Sequence, residues 1–250
     1  MELTASFFAV AIPATIFAGI SKGGFGSGAA FVATVLLVLV VSPAEALAVM
    51  LPLLMLMDAT ALRPYWRKWD GMAARWLVLG AVPGVVIGAM IFTVAPADVI
   101  ALLIGVVALS FVAFQLVRSR GWLSLSGLPG GGGAGAFWGA VAGFTSFISH
   151  AGGPPAAVYL LSRGVGKERY QATTVIVFWA INLMKFALYA VLGTFSSATA
   201  LADLVLAPFA ILGVTLGVWL HRRVPERLFF GLTYAFLVAA SLRLVWSALA

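Results

Sequence analysis

The sequence predicts an all-α integral membrane protein, and three observations predict it. Hydrophobic residues make up 63% of the 250-residue chain and charged residues only 9%, against about 25% charged in a soluble domain. Several apolar runs reach or approach the ~20 residues that a helix needs to cross a bilayer. The basic residues stand mostly in clusters between those runs. Such a chain has too little polar surface to cover itself in water. Its net charge of +7 lies in the loops, which argues for a lipid environment and against a nucleic-acid partner. With no cysteine, disulfides, thiolate metal sites and thiol chemistry are excluded, and neither metal nor cofactor is expected. The start, Met1-Glu2-Leu3-Thr4, lacks a basic n-region, so no cleaved signal peptide is expected.

Apolar runs and the polar punctuation between them predict single spans over Ala44–Leu62, Met72–Val94, Val99–Val117, Tyr170–Leu192, Leu201–Leu220 and Leu228–Leu249. Two regions do not fit one span. Leu3–Val41 is too long and is interrupted by Ser21-Lys22-Gly23-Gly24-Phe25-Gly26-Ser27-Gly28. Gly135–Leu161 is interrupted by Thr145-Ser146-Phe147-Ile148-Ser149-His150-Ala151-Gly152-Gly153-Pro154-Pro155. Glycine frees the backbone and proline removes an amide, so each region is expected to form two short helical pieces meeting at a broken tip.

Twelve of the fifteen basic residues fall in four clusters: Arg63, Arg67, Lys68 and Arg75; Arg118 and Arg120; Arg163, Lys167 and Arg169; Arg222, Arg223 and Arg227. The loops near Pro43, Pro96 and Thr194–Thr199 carry none. The positive-inside rule puts the clusters in the cytoplasm and both chain ends outside, in the periplasm of a bacterial inner membrane. The two broken regions then enter from opposite faces.

An internal repeat accounts for this opposition. A shift of 124 places Ala18-Gly19 on Ala142-Gly143, Gly28 on Gly152, Asp58 on Asn182 and Tyr65 on Tyr189. A shift of 129 places Gly84 on Gly213, Gly88 on Gly217 and Pro96 on Pro225. The matched loops carry opposite charge: the basic loop at Arg67 falls on the uncharged Ser196 region. The expected architecture is two halves of inverted topology, residues 1–124 and 125–250. Each is a broken helical hairpin, re-entrant or short, followed by three transmembrane helices, with a site near the midplane.

Broken helices supply what an anion needs on leaving water. Free amides at a helix N-terminus carry partial positive charge, and glycines let a ligand approach them. Gly23, Gly24, Gly26 and Gly28 in the first tip, and Gly152 and Gly153 in the second, are therefore candidate ligands. Ser27, Ser146 and Ser149 add hydroxyls. The competing reading is that these glycines serve close helix packing. Lys22 has three readings: direct attraction of the anion, an ion pair with Asp58, or snorkelling to an interface. Asp58 either balances Lys22 or carries a coupling proton, and its counterpart Asn182 completes the candidate site. Lys185, on the same predicted span as Asn182, either lines an anion path or snorkels outward. His150 binds the anion, relays a proton, or stabilises the tip through a hydrogen bond.

The Gly19-x-x-Lys22-Gly23-Gly24-x-Gly26-x-Gly28 and His150-x-Gly152-Gly153-Pro154-Pro155 segments, at this separation, resemble the sulfite exporter TauE/SafE family over nearly the whole chain. The resemblance implies export of sulfite or a small organosulfonate such as sulfoacetate. Electrical considerations agree, because an anion leaving a negative interior moves downhill by about 2.3 kcal/mol per charge per 100 mV. An anion-selective channel would use the same residues. An enzyme is not expected: Gly24-x-Gly26-x-x-Ala29 lacks the strand that a dinucleotide loop follows, and Ser149 beside His150 is poorly placed for an intramembrane hydrolase. The sequence leaves the oligomeric state and a homo-oligomer open.

Overall fold

The computed structural model describes residues 1–25, 29–122, 130–220 and 226–249, and no strand occurs among them. α1 (Ala5–Ile20) starts under a Thr4 cap whose hydroxyl accepts from the Phe7 amide at 3.2 Å. It continues as a π-helical turn through Ser21–Phe25. α2 is Val32–Leu37. α3 (Pro43–Leu62) opens in a capping box between Ser42 and Glu45, with Pro43 in the first turn, where a missing N–H costs least. α4 (Gly71–Val94) begins under Asp70, which accepts from the Ala73 amide at 3.0 Å. Then follow α5 (Ala97–Ser119), α6 (Gly132–Ser149), α7 (Gly153–Ser162), α8 (Lys167–Val191), α9 (Ser197–Leu220) and α10 (Glu226–Leu249).

The described residues contain six segments long and apolar enough to cross a membrane: Ala5–Gly24, α3, α4, α5, α8 and α9. The protein is thus a multi-pass membrane protein, and the helix bounds fall within a few residues of the apolar runs. One expectation needs adjustment. The first broken region does not begin with a short piece, because α1 and its π turn reach Gly24 without interruption. Ser21-Lys22-Gly23-Gly24 widens the helix instead of ending it at Ser21. Gly26, Ser27 and Gly28 lie outside the described residues. The second region breaks at His150–Gly152, between α6 and α7.

Two glycine-lined seams hold the bundle. Along α1 and α9, Gly19 faces Ala210 and Gly213, while Gly217 faces Ile20. Along α4 and α6, Gly84 faces Ala140 and Gly143 faces Ala81. Without side chains the backbones approach closely, which supplies the dispersion contact that membrane helices rely on. α3 and α8 pack against each other between the seams, and α5 packs on α10. These pairings survive an exchange of α1 with α6, α3 with α8, α4 with α9 and α5 with α10. Hydrogen bonds follow the same exchange. The Tyr65 hydroxyl donates to the Gly23 carbonyl at 3.4 Å and the Tyr189 hydroxyl to the Phe147 carbonyl at 2.7 Å.

The two hairpins open at opposite ends of α3. The Met1 amino group meets Glu45 in the first turn of α3 at 2.6 Å, so α1 starts beside the end where α3 starts. Arg163, just after α7, donates to the Gly130 carbonyl before α6 at 2.7 Å. It also meets Asp70, beyond the far end of α3, at 3.2 Å. At this second end the loop after α3 and the first turn of α8 meet through Lys68 and Glu168 at 2.7 Å. Burial pushes the Asp70 carboxyl up, but the Ala73 amide and the Arg163 guanidinium outweigh it and hold the group below the ordinary carboxylate value.

Candidate functional site

The centre of the bundle holds a continuous chain of buried polar side chains from four elements. Lys22 comes from the π turn after α1, Asp58 from α3, Asn182 and Lys185 from α8, and Ser146 and His150 from the end of α6. On α8, Gln171, Phe178, Asn182, Lys185 and Tyr189 recur at helical spacing and so lie along one inward stripe. Interior polar groups that reach no water must find partners among themselves, and these do.

Lys22 Nζ pairs with Asp58 Oδ1 and lies 3.4 Å from the Leu54 carbonyl. Asp58 Oδ2 accepts from Asn182 Nδ2 at 2.9 Å. Asn182 Oδ1 accepts in turn from Lys185 Nζ at 3.3 Å. A carboxylate only accepts and an ammonium only donates, so the Asn182 amide can stand in one orientation alone. Lys185 Nζ also donates to Ser146 Oγ at 3.2 Å and to His150 Nδ1. His150 Nε2 lies 3.1 Å from the Leu47 carbonyl. A carbonyl cannot donate, so Nε2 carries the ring proton and the Nδ1 lone pair faces the Lys185 ammonium. The imidazole is therefore neutral in this arrangement.

Backbone geometry places the imidazole. His150 caps α6 in the left-handed region at φ 57°. Its amide returns to the Ser146 carbonyl at 3.0 Å and the Ala151 amide to the Thr145 carbonyl at 3.3 Å. Glycine commonly fills this helix-ending position. Immediately beyond, α7 begins with Gly153 and no side-chain cap. Pro154 and Pro155 have no N–H, so the amides of Gly152 and Gly153 are the ones carried at this break. A cavity of about 10 Å³ lies here, lined by Lys22 and Leu54 from the first hairpin and α3, and by Ser146, His150, Gly153 and Asn182. Such a space holds about one water molecule.

Of the residues singled out from sequence, Lys22, Asp58, Ser146, His150, Asn182 and Lys185 come together in this chain, with Gly152 and Gly153 at its edge. Lys185 is 0% exposed and Lys22 4%, so neither snorkels. Gly23 and Gly24 turn toward the backbone of α9 at Val214 and Gly217. Ser149 bonds back to the Thr145 carbonyl at 2.9 Å, within its own helix. Gly26, Ser27 and Gly28 fall outside the described residues. Gln171 was missed: its Nε2 donates to the Lys22 carbonyl at 2.6 Å and ties α8 to the π turn. Its position eleven residues before Asn182, on the same stripe, was the signal. No group of three or more His, Cys, Asp or Glu side chains suited to a metal ion occurs among the described residues.

Comparison with known proteins adds one match. A family model described as "Sulfite exporter TauE/SafE" matches residues 11–244. No curated protein and no solved structure matches the chain.

Proposed function

This chain belongs to the sulfite exporter TauE/SafE family, and from that premise we propose that it exports sulfite or a small organosulfonate such as sulfoacetate across the bacterial inner membrane. The observation that carries the proposal is Lys185, a fully buried ammonium whose acceptors, Ser146, His150 and Asn182, are all uncharged. A buried cation without a counter-ion is costly, and a bound oxyanion supplies the missing charge. Lys185, the Ser146 hydroxyl and the Gly152 and Gly153 amides are the donors that replace its hydration shell. His150 holds the ammonium at the tip until the anion arrives. Lys22, balanced by Asp58, adds a second donor from the opposite hairpin. Gly26, Ser27 and Gly28 join this reading on sequence pattern alone.

We read residues 1–124 and 125–250 as halves of opposite orientation, with the basic loops in the cytoplasm and both ends in the periplasm. The exchange-invariant pairings, the matched Tyr65 and Tyr189 hydrogen bonds and the opposed hairpin openings support this reading. A cavity with room for one water is too small for an oxyanion, so loading requires the two tips to separate, one face at a time. Outward movement of the anion is driven by the membrane potential.

Flux into proteoliposomes of sulfite, sulfoacetate, sulfate and chloride tests the proposal. Saturable sulfite flux with counterflow is expected, and Lys185→Gln should lower it by about tenfold or more, the scale of one lost charge-assisted contact, at normal membrane abundance. Wild-type flux in that variant removes the site from Lys185. Ion-channel conductance in place of counterflow would turn the reading to an anion-selective channel.

A further inference from the structure

With Lys22, Asp58 and Lys185 ionised, as an anion-binding state requires, the buried charges of the site add to a single positive unit, and we infer from that sum that the protein selects monoanions over dianions of the same shape. The inference rests on the reading of the Lys185 cluster as the anion site. Among the described residues, the charged side chains buried in the interior are Lys22, Asp58 and Lys185. Lys22 and Asp58 pair and cancel. Lys185 remains, surrounded by a hydroxyl, an amide oxygen and a neutral imidazole.

A monoanion brings this interior to neutrality. A dianion of equal size leaves one negative charge in excess, in surroundings where an uncompensated charge is far more costly than a hydrogen bond is favourable. Water does little to offset the excess, because the cavity of about 10 Å³ accommodates about one molecule. Nor does His150 supply a second positive charge. Its Nε2 already donates to the Leu47 carbonyl, so a second proton would sit on Nδ1, directly against the Lys185 ammonium. Two cations would then face each other across a contact that the neutral ring makes favourable.

The selected ligands are hydrogensulfite and singly charged sulfonates. Sulfate, fully ionised sulfite and doubly charged sulfonates are disfavoured; sulfoacetate, with its carboxylate ionised at neutral pH, falls in the last group, so of the substrates proposed above the rule favours sulfite as its monoanion. Asp58 sets the rule, since it is the one negative charge in the sum. Its replacement by asparagine raises the interior to two positive units, and the single amide oxygen remains as acceptor for Lys22 and Asn182 where the carboxylate offered two.

Methanesulfonate and sulfate separate charge from shape, for both are tetrahedral at sulfur and they carry one and two charges at neutral pH. Titration of the purified full chain in nanodiscs, at fixed ionic strength, should show methanesulfonate binding at least about tenfold more tightly than sulfate. Asp58→Asn should shift that ratio by about tenfold or more toward sulfate. Equal or tighter sulfate binding by the wild-type protein overturns the charge rule and leaves the anion site standing, provided Lys185→Gln weakens both ligands. Absence of binding of either anion to the wild-type protein overturns the site reading and the inference with it. The wild-type comparison decides the matter even if Asp58→Asn does not fold.

Discussion

His150 occupies a backbone conformation that glycine commonly takes, and a non-glycine residue in the left-handed region costs roughly 1–2 kcal/mol. The imidazole offsets part of that by bonding the Leu47 carbonyl and Lys185. The two contributions can be separated by substitution. His150→Gly removes the ring and relieves the backbone, so its melting temperature should stay near wild type while transport is lost. His150→Ala removes the ring and keeps the strain, and it should be less stable than His150→Gly by about 1 kcal/mol. Thermal unfolding in detergent, together with sulfite flux, measures both. Wild-type flux in His150→Gly would reduce His150 to a helix cap. The sequence marked His150 as a candidate because it stands beside Gly-Gly-Pro-Pro, but the left-handed turn that aims its ring was not legible. Sequence likewise left Lys185 between an inward and an outward direction. Its stem can point either way from a helix, and only the stripe that α8 turns toward α3 and α6 decides.

At the scale of helices, the glycines divide by what they face. A Cβ on Gly143 would lie 2.9 Å from the Ala81 Cα, and one on Gly213 would lie 3.0 Å from the Gly19 Cα. Both neighbours are backbone and cannot rotate away. Gly143→Val and Gly213→Val should therefore each lose about 1–3 kcal/mol of stability through forced separation of a seam. Gly133→Ala is the control, since nothing lies within 4 Å of its added Cβ. It should be neutral, or stabilising by up to about 1 kcal/mol through helix propensity. Thermal unfolding of the three variants checks this, and unchanged stability in both valine variants would show that the seams tolerate widening. The sequence offered two uses for the tip glycines, ligand approach and packing. Gly23 and Gly24 follow the packing use, facing α9, and Gly152 packs as closely on the Ala142 carbonyl and the Phe178 ring, whereas Gly153 lines the cavity beside the polar cluster. The two uses leave the same residue in the sequence, so only the position of α9 separates them.

For the whole molecule, the arrangement predicts a topology. Tags at both ends should be accessible from the periplasm and a tag in the loop bearing Arg67 and Lys68 from the cytoplasm, as read by membrane-impermeant labelling of intact cells. Cytoplasmic labelling of both ends would reverse the orientation and remove the charge argument for inverted halves. The sequence by itself determined the membrane class, the extent of the long helices and the two regions where a helix changes course. Those depend on composition and on local backbone chemistry: the length of an apolar run, a glycine-rich interruption, paired prolines after paired glycines. It also held the 124-residue correspondence that Tyr65 and Tyr189 express as equivalent hydrogen bonds. Tertiary structure alone decided which polar groups meet. Lys22 and Asp58 stand 36 positions apart, Asp58 and Asn182 124, and His150 and Leu47 103. In a low-dielectric interior each had to find a partner, but many partners satisfy that need equally on paper. The close approach of α1 to α9 and of α4 to α6, which sets α3 against α8, selected the pairs that formed and left Lys185 without a countercharge.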